Sequence, residues 1–150
     1  MAVTMADISK LRTMTGAGMM DCKNALNEAE GNFDKAIEII RKKGQAIAAK
    51  RSDRQASEGC VLSASNGEFA AVVAIKCETD FVAQNADFIA LTQSILDAAM
   101  ANKVADKDAL LALAIDGRSI ADLITDRSGI TGEKMELGFY EVVNGAATVA

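Results

Sequence analysis

The sequence predicts an α+β fold built in two parts: a short helical unit at the N-terminus, then a mixed unit of hairpin, helices and C-terminal strands. Three observations predict it. Apolar residues recur at helical spacing as far as Gly44, whereas between Gly59 and Cys77 they form two strand-like runs. Those two runs are joined by Asn66-Gly67, a dipeptide suited to a tight hairpin turn. Charge divides at the same place: residues 1–55 carry ten Lys/Arg and seven Asp/Glu, net +3, and residues 56–150 carry six and fourteen, net −8. The expected organisation is a three-helix module over 1–44, a basic linker over 45–57 and a second unit over 58–150.

Each element has its own signal. Thr4-Met5-Ala6-Asp7 resembles a capping box, after which Ile8, Leu11 and Met14 recur at helical spacing until Gly16. Met19, Cys22, Ala25, Leu26 and Ala29 share one face of a second helix, ended by Gly31. Asn32 can cap a third helix, in which Phe33, Ala36, Ile37 and Ile40 share a face. The basic turn Arg41-Lys42-Lys43 suits a C-terminus, and Gly44 is expected to end this helix. Residues 45–57, with Lys50, Arg51 and Arg54, read as a linker that is partly helical.

In the second unit, the run from Glu68 to Cys77 is apolar on both faces, which predicts a strand inside a sheet covered on both sides, or nearly so, by other parts of the chain. Phe88, Leu91, Ile95, Leu96 and Ala99 then share a helical face, with Asn85 or Asp87 near its start. Shorter helices are expected at about 106–114 and 119–127, the latter capped by Ser119. Strands follow at 135–143 and 146–150 around Asn144-Gly145. An apolar strand needs a neighbour for its backbone groups, so further chain or a partner is expected to supply the missing edge.

Composition excludes several function classes. With 50% hydrophobic and 25% charged residues, the chain has the balance of a folded domain rather than a disordered one. No apolar run exceeds seven residues, too few to span a bilayer as a helix. The first residues have neither a basic start nor an apolar stretch, so no secretory signal is read and a cytoplasmic location is expected. There is no histidine, which removes Ser–His, Cys–His and His–zinc chemistry; the expectation is no catalytic residue, no metal and no cofactor. Cys22, Cys60 and Cys77 lack C-x-x-C spacing and read as reduced, mostly buried thiols. The basic linker has no interleaved aromatics, so it reads as a solvated segment, and neither RNA nor DNA is an expected partner.

Four motifs invite a chemical reading. Gly16-Ala17-Gly18 has the look of a phosphate-binding loop, but no strand precedes it and the third glycine is replaced by Asp21, so a helix turn is the better account. Asp106 with Asp108, and Asp122 with Asp126, read as solvated faces. Met19 and Met20 are adjacent on a helix and cannot both face one small core; the outward one suits an adaptable protein-binding surface, while absorption at the bundle end is the alternative. Thr79-Asp80-Phe81-Val82 lies between a buried strand and a helix, where loops carry function. Pattern alone favours Phe81 as an ordinary core aromatic and Asp80 as a helix cap.

Two long motifs then carry a family resemblance. Thr15-Gly16-Ala17-Gly18-Met19-Met20-Asp21-Cys22-Lys23-Asn24-Ala25-Leu26 resembles the N-terminal signature of the bacterial elongation factor Ts family, and Cys77-Glu78-Thr79-Asp80-Phe81-Val82-Ala83 resembles its second signature. The resemblance covers essentially the whole chain. It implies a ubiquitin-associated-like (UBA-like) three-helix module, a linker and an incomplete first part of an α+β core.

It also implies a guanine-nucleotide exchange factor that is not an enzyme. Its partner would be elongation factor Tu, GDP-bound or nucleotide-free, and GDP would leave because the Mg-phosphate site is disturbed. No membrane partner is implied. Carried over residue by residue, Leu11, Arg12, Met19 and Met20 become N-terminal docking candidates. Thr79, Asp80, Phe81 and Val82 become the contact that disturbs the magnesium site, with Phe81 as the wedge. Thr131 and Gly132 match a further contact, where the family often has Ile-Gly-Glu and this chain has Thr131-Gly132-Glu133. The basic pair that commonly follows is replaced by Gly138 and Phe139. The second half of the family's core, its coiled-coil insertion and its C-terminal region have no counterpart here, so weakened exchange is expected of these residues alone. A competing reading is an adaptor whose three-helix module binds a peptide or ubiquitin-like partner.

Overall fold

A computed structural model describes residues 2–144 of the chain, so the strand expected at 146–150 and the turn at Gly145 lie outside the described residues. The fold is α+β. Helices α1 (Met5–Thr15), α2 (Met19–Glu28) and α3 (Phe33–Lys50) come first. Thr4 and Asp7 close the capping box of α1 reciprocally, and the Asn32 side chain accepts from the Lys35 amide to start α3. Ile8, Leu11, Cys22, Ala25, Leu26 and Ala36 bury the faces of these three helices against one another.

Helix α3 does not end at Gly44. It runs on to Lys50, so the first six residues of the expected linker are helical. Gly44 is buried there because it meets a glycine of another helix, not because the chain must turn. A glycine inside a helix costs about 1 kcal/mol against alanine, and the close crossing here needs the missing Cβ of the partner glycine rather than that of Gly44, whose own Cβ would make an ordinary contact.

Strands β1 (Glu58–Ser65) and β2 (Phe69–Cys77) form the expected antiparallel hairpin, with Ser65 opposite Ala70. The Asn66 side chain accepts from the amides of Glu68 and Phe69 and fixes the turn. Strand β5 (Glu136–Asn144) pairs with the other edge of β2, giving the order β1-β2-β5. Register shifts between Ala74, opposite Phe139, and Ile75, opposite Leu137, so Gly138 is the extra residue of a bulge. A Cβ on Gly138 would collide with the Lys76 stem, which explains glycine at that position.

Between the hairpin and β5 lie α4 (Asp80–Ala83), α5 (Ala86–Asn102), α6 (Lys107–Ala112), a two-residue ladder of β3 (Ala114–Ile115) with β4 (Arg118–Ser119), and α7 (Ile120–Thr131). The ladder was not foreseen; it takes Ala114 from the expected 106–114 helix, and two residues at positive φ, Asp116 and Gly117, turn it. Helices α5, α6 and α7 cover one face of the sheet, where Phe69, Val73, Ile75 and Cys77 of β2 meet Phe88, Ile95, Leu96, Leu110 and Ile120.

Among the described residues the helices cover one face of the sheet; on the opposite face Ala70 and Ala74 are buried, while Val61, Phe139 and Val143 beside them are exposed. Asp126 departs from the solvated reading as well: Arg118 grips it with two hydrogen bonds of 2.6 Å. All three cysteines are free, with Cys22 and Cys77 buried. Among the described residues no helix is long and apolar enough to cross a membrane.

Candidate functional site

Strand β2 delivers the chain to a sharp turn. Cys77 is fully buried, and its thiol donates to the Thr79 carbonyl at 3.3 Å. Thr79 is extended (φ −118°, ψ 155°) and its hydroxyl accepts from the Val82 amide at 3.4 Å, capping α4. Thr79, and not Asp80, is therefore the cap. Helix α4 has only four residues, of which Val82 and Ala83 pack against the core cluster. With those two turned inward, the remaining face of the turn points away from the protein. Asp80 is exposed, and Phe81 is 85% exposed. The expectation from pattern, a core phenylalanine, does not hold.

The turn is held from outside its own sequence. Helix α7 ends on Gly132 in a left-handed conformation (φ +74°), with the Gly132 amide donating to the Ser128 carbonyl at 2.8 Å. The next residue, Glu133, is fixed at both backbone groups: its amide donates to the Thr131 hydroxyl at 3.3 Å, and its carbonyl accepts from the buried Ser128 hydroxyl at 2.6 Å. Its carboxylate then reaches the β2–α4 turn. One oxygen accepts from the amides of Glu78 (3.1 Å) and Thr79 (3.0 Å), and the other accepts from the Thr79 hydroxyl (2.6 Å). Arg51, just past α3, donates to the Gly132 carbonyl at 3.0 Å, and Arg54 lies 3.6 Å from the Glu78 carboxylate. Burial, with the Glu133 charge adding to it, pushes the Cys77 thiol up to about 11.

Glu133 entered the sequence reading only as the last residue of the Thr131-Gly132-Glu133 match, and no local pattern showed it as a clamp, because its partners lie 54 and 55 residues away in sequence. Thr131 and Gly132 stand immediately before it. The Thr131 hydroxyl is engaged, donating to the Arg127 carbonyl at 3.0 Å, and both residues are partly exposed.

The N-terminal candidates separate by burial. Arg12 is exposed, Met19 is 41% exposed and Met20 is 65% exposed, so neither methionine is absorbed by the bundle. Leu11 is entirely buried at the centre of the three-helix core. It cannot present its side chain to a partner in this conformation and supports the surface from below, which corrects its place among the docking candidates. Between α1 and α2, Gly16 at φ +75° turns the chain, and the Thr15 hydroxyl accepts from the Ala17 amide at 3.2 Å. A Cβ placed on Gly16 would lie 3.5 Å from Cδ1 of Ile130. The last turn of α7 therefore abuts the α1–α2 turn at Ile130 and grips the β2–α4 turn through Glu133, linking both candidate surfaces.

Thr79 and Cys77 are the nucleophile-bearing side chains nearby; the Thr79 hydroxyl donates to the Glu133 carboxylate and accepts from the Val82 amide, and the Cys77 thiol is buried and donates to the Thr79 carbonyl, so both are committed to holding the turn. The exposed groups are an aromatic ring, a carboxylate and flexible thioethers, the side chains of a protein-binding surface.

Comparison with known proteins agrees along the whole chain. A sequence profile of the family described as Elongation factor TS matches residues 78–150. Elongation factor Ts of Porphyromonas gingivalis is 68% identical over 100% of this chain and 55% of its own length. Elongation factor Ts of Phocaeicola vulgatus is 68% identical over 99% of this chain and 45% of its own length. That of Azobacteroides pseudotrichonymphae is 59% identical over 100% of this chain and 55% of its own length. The chain thus spans about half the length of the curated relatives it matches. With Met19, Met20, Asp80 and Phe81 of the two signature segments exposed on a fold of the expected class, and with this identity along the full length of the sequence, the chain belongs to the elongation factor Ts family.

Proposed function

We propose that this chain takes part in guanine-nucleotide exchange on elongation factor Tu, in the cytoplasm, by promoting release of GDP during translation elongation. The observation that carries the proposal is Phe81: a large aromatic ring 85% exposed on a turn that is capped, clamped and anchored inward. Exposing such a ring is unfavourable in an isolated domain, and it is the side chain best able to anchor a partner once buried. Asp80 places a carboxylate beside it, which repels nucleotide phosphates at close range.

The thermodynamics need no bond-making. GDP is held through Mg²⁺ and phosphate contacts, so a protein that binds the emptied, distorted site weakens GDP by the coupling free energy between the two. A 100-fold loss of affinity corresponds to about 2.7 kcal/mol, within the reach of one well-buried aromatic anchor. Arg12, Met19 and Met20 supply a second contact that holds the module on the same partner, with Thr131 and Gly132 at the edge of the first. Both GDP-bound and nucleotide-free forms are partners, and the emptied form binds more tightly by the same coupling.

The test is stopped-flow release of fluorescent GDP from the cognate elongation factor Tu, using the natural full-length protein. Release should accelerate, and Phe81→Ala should cut the acceleration about tenfold or more. Undiminished acceleration by that variant would remove Phe81 from the mechanism.

A further inference from the structure

We infer that Glu133 is a positioning residue: its carboxylate sets the conformation of the 78–82 turn and thereby the outward pose of Phe81. The consequence for a partner rests on the function proposed above; the consequence for the turn does not. Phe81 is 85% exposed, so little of its pose comes from packing of its own ring. Its direction is inherited from the backbone, and α4 is too short to hold itself, since one helical turn costs more in chain entropy than its hydrogen bonds return.

Glu133 supplies the missing restraint. Three donors converge on its two oxygens, the amides of Glu78 and Thr79 and the hydroxyl of Thr79, at 2.6 to 3.1 Å. Hydrogen bonds to a charged acceptor are roughly twice as strong as neutral ones. Because the Thr79 proton is directed at Glu133, an oxygen lone pair is left facing the Val82 amide, so the clamp also orients the cap. Glu133 is itself immobilised through Ser128, Thr131 and the end of α7, so the restraint is referred to a rigid helix.

Glu133→Gln tests this with side-chain size preserved. The amide retains one acceptor oxygen; its NH2 group can form no hydrogen bond with the two backbone amides and can face the Thr79 hydroxyl only by turning that hydroxyl from donor to acceptor, and in either pose the charge that strengthens the amide bonds is lost. In the 150-residue chain, hydrogen exchange at the Glu78 and Thr79 amides should speed up roughly tenfold, while amides of β2 and α5 stay as they were. On elongation factor Tu, full-length Glu133→Gln should release GDP more slowly at saturating concentration, and adding it to Phe81→Ala should bring no further loss. Unchanged exchange at Glu78 and Thr79 would overturn the inference, as would losses from the two substitutions that multiply. If Phe81→Ala leaves GDP release intact while Glu133→Gln still loosens the turn, the exchange function fails and the clamp stands. Should Glu133→Gln loosen the whole fold, Glu133→Asp shortens the clamp while leaving the Thr79 cap in place, and faster exchange at the Glu78 and Thr79 amides is again expected; unchanged exchange there would overturn the inference.

Discussion

Gly129 of α7 lies directly on the backbone of Gly44 of α3, with no space between them for a Cβ on Gly129. The contact joins the N-terminal helices to the sheet-bearing unit, and it sits between the two surfaces that the proposed function uses. Gly129→Ala should force the helices apart and destabilise the chain by about 1–3 kcal/mol, the usual cost of overpacking. Urea unfolding measures this directly. Gly44→Ala should be neutral or stabilise by up to about 1 kcal/mol, because its Cβ would meet Gly129 at 3.7 Å, an ordinary contact, and alanine is the better helix former.

Phe81 makes the opposite prediction for stability. Since its ring is 85% exposed, Phe81→Ala should leave the unfolding midpoint within about 0.5 kcal/mol of the parent. A large loss would mean that the ring packs inward in solution.

Met20→Ala should weaken association with elongation factor Tu more than it slows GDP release from the preformed complex. The side chain is 65% exposed and sits on the other surface, away from the Glu133-clamped turn. Binding kinetics and single-turnover release, measured on the same variant, separate the two effects; equal losses would merge the two surfaces into one functional unit.

Cys77 predicts a stability change at high pH. Burial first, then the Glu133 carboxylate, raises its thiol from the ordinary 9.0 to about 11. Thiolate therefore forms in the unfolded chain before it forms in the folded one, so the unfolded state binds fewer protons in that interval. The contribution is complete below about pH 9 and is lost as pH rises toward about 11. Denaturation curves of the parent and of Cys77→Ala across this interval should converge as pH increases.

Elements whose signals are local were legible in the sequence. The Thr4 capping box, the Asn32 and Ser119 caps and the Asn66-Gly67 hairpin each depend on side-chain-to-backbone geometry within a few residues, and all are present; of Asn85 and Asp87, both offered by the sequence, the structure uses Asn85 as the cap. The position of the candidate site was legible too, as a turn between a buried strand and a helix.

What only the tertiary structure decided was direction, depth and distance. Helical periodicity placed Leu11 and Met19 on the same module without telling a fully buried side chain from an exposed one. Gly44 looks like a helix end because glycine commonly ends helices, and only the folded chain shows it inside α3, crossed closely by Gly129. Phe81 was ambiguous for the same reason: its exposure follows from Val82 and Ala83 turning inward and from a carboxylate 54 residues away from Thr79. Local sequence determines backbone hydrogen bonds made within one turn, whereas burial and long-range clamps depend on which distant segments the folded chain brings together.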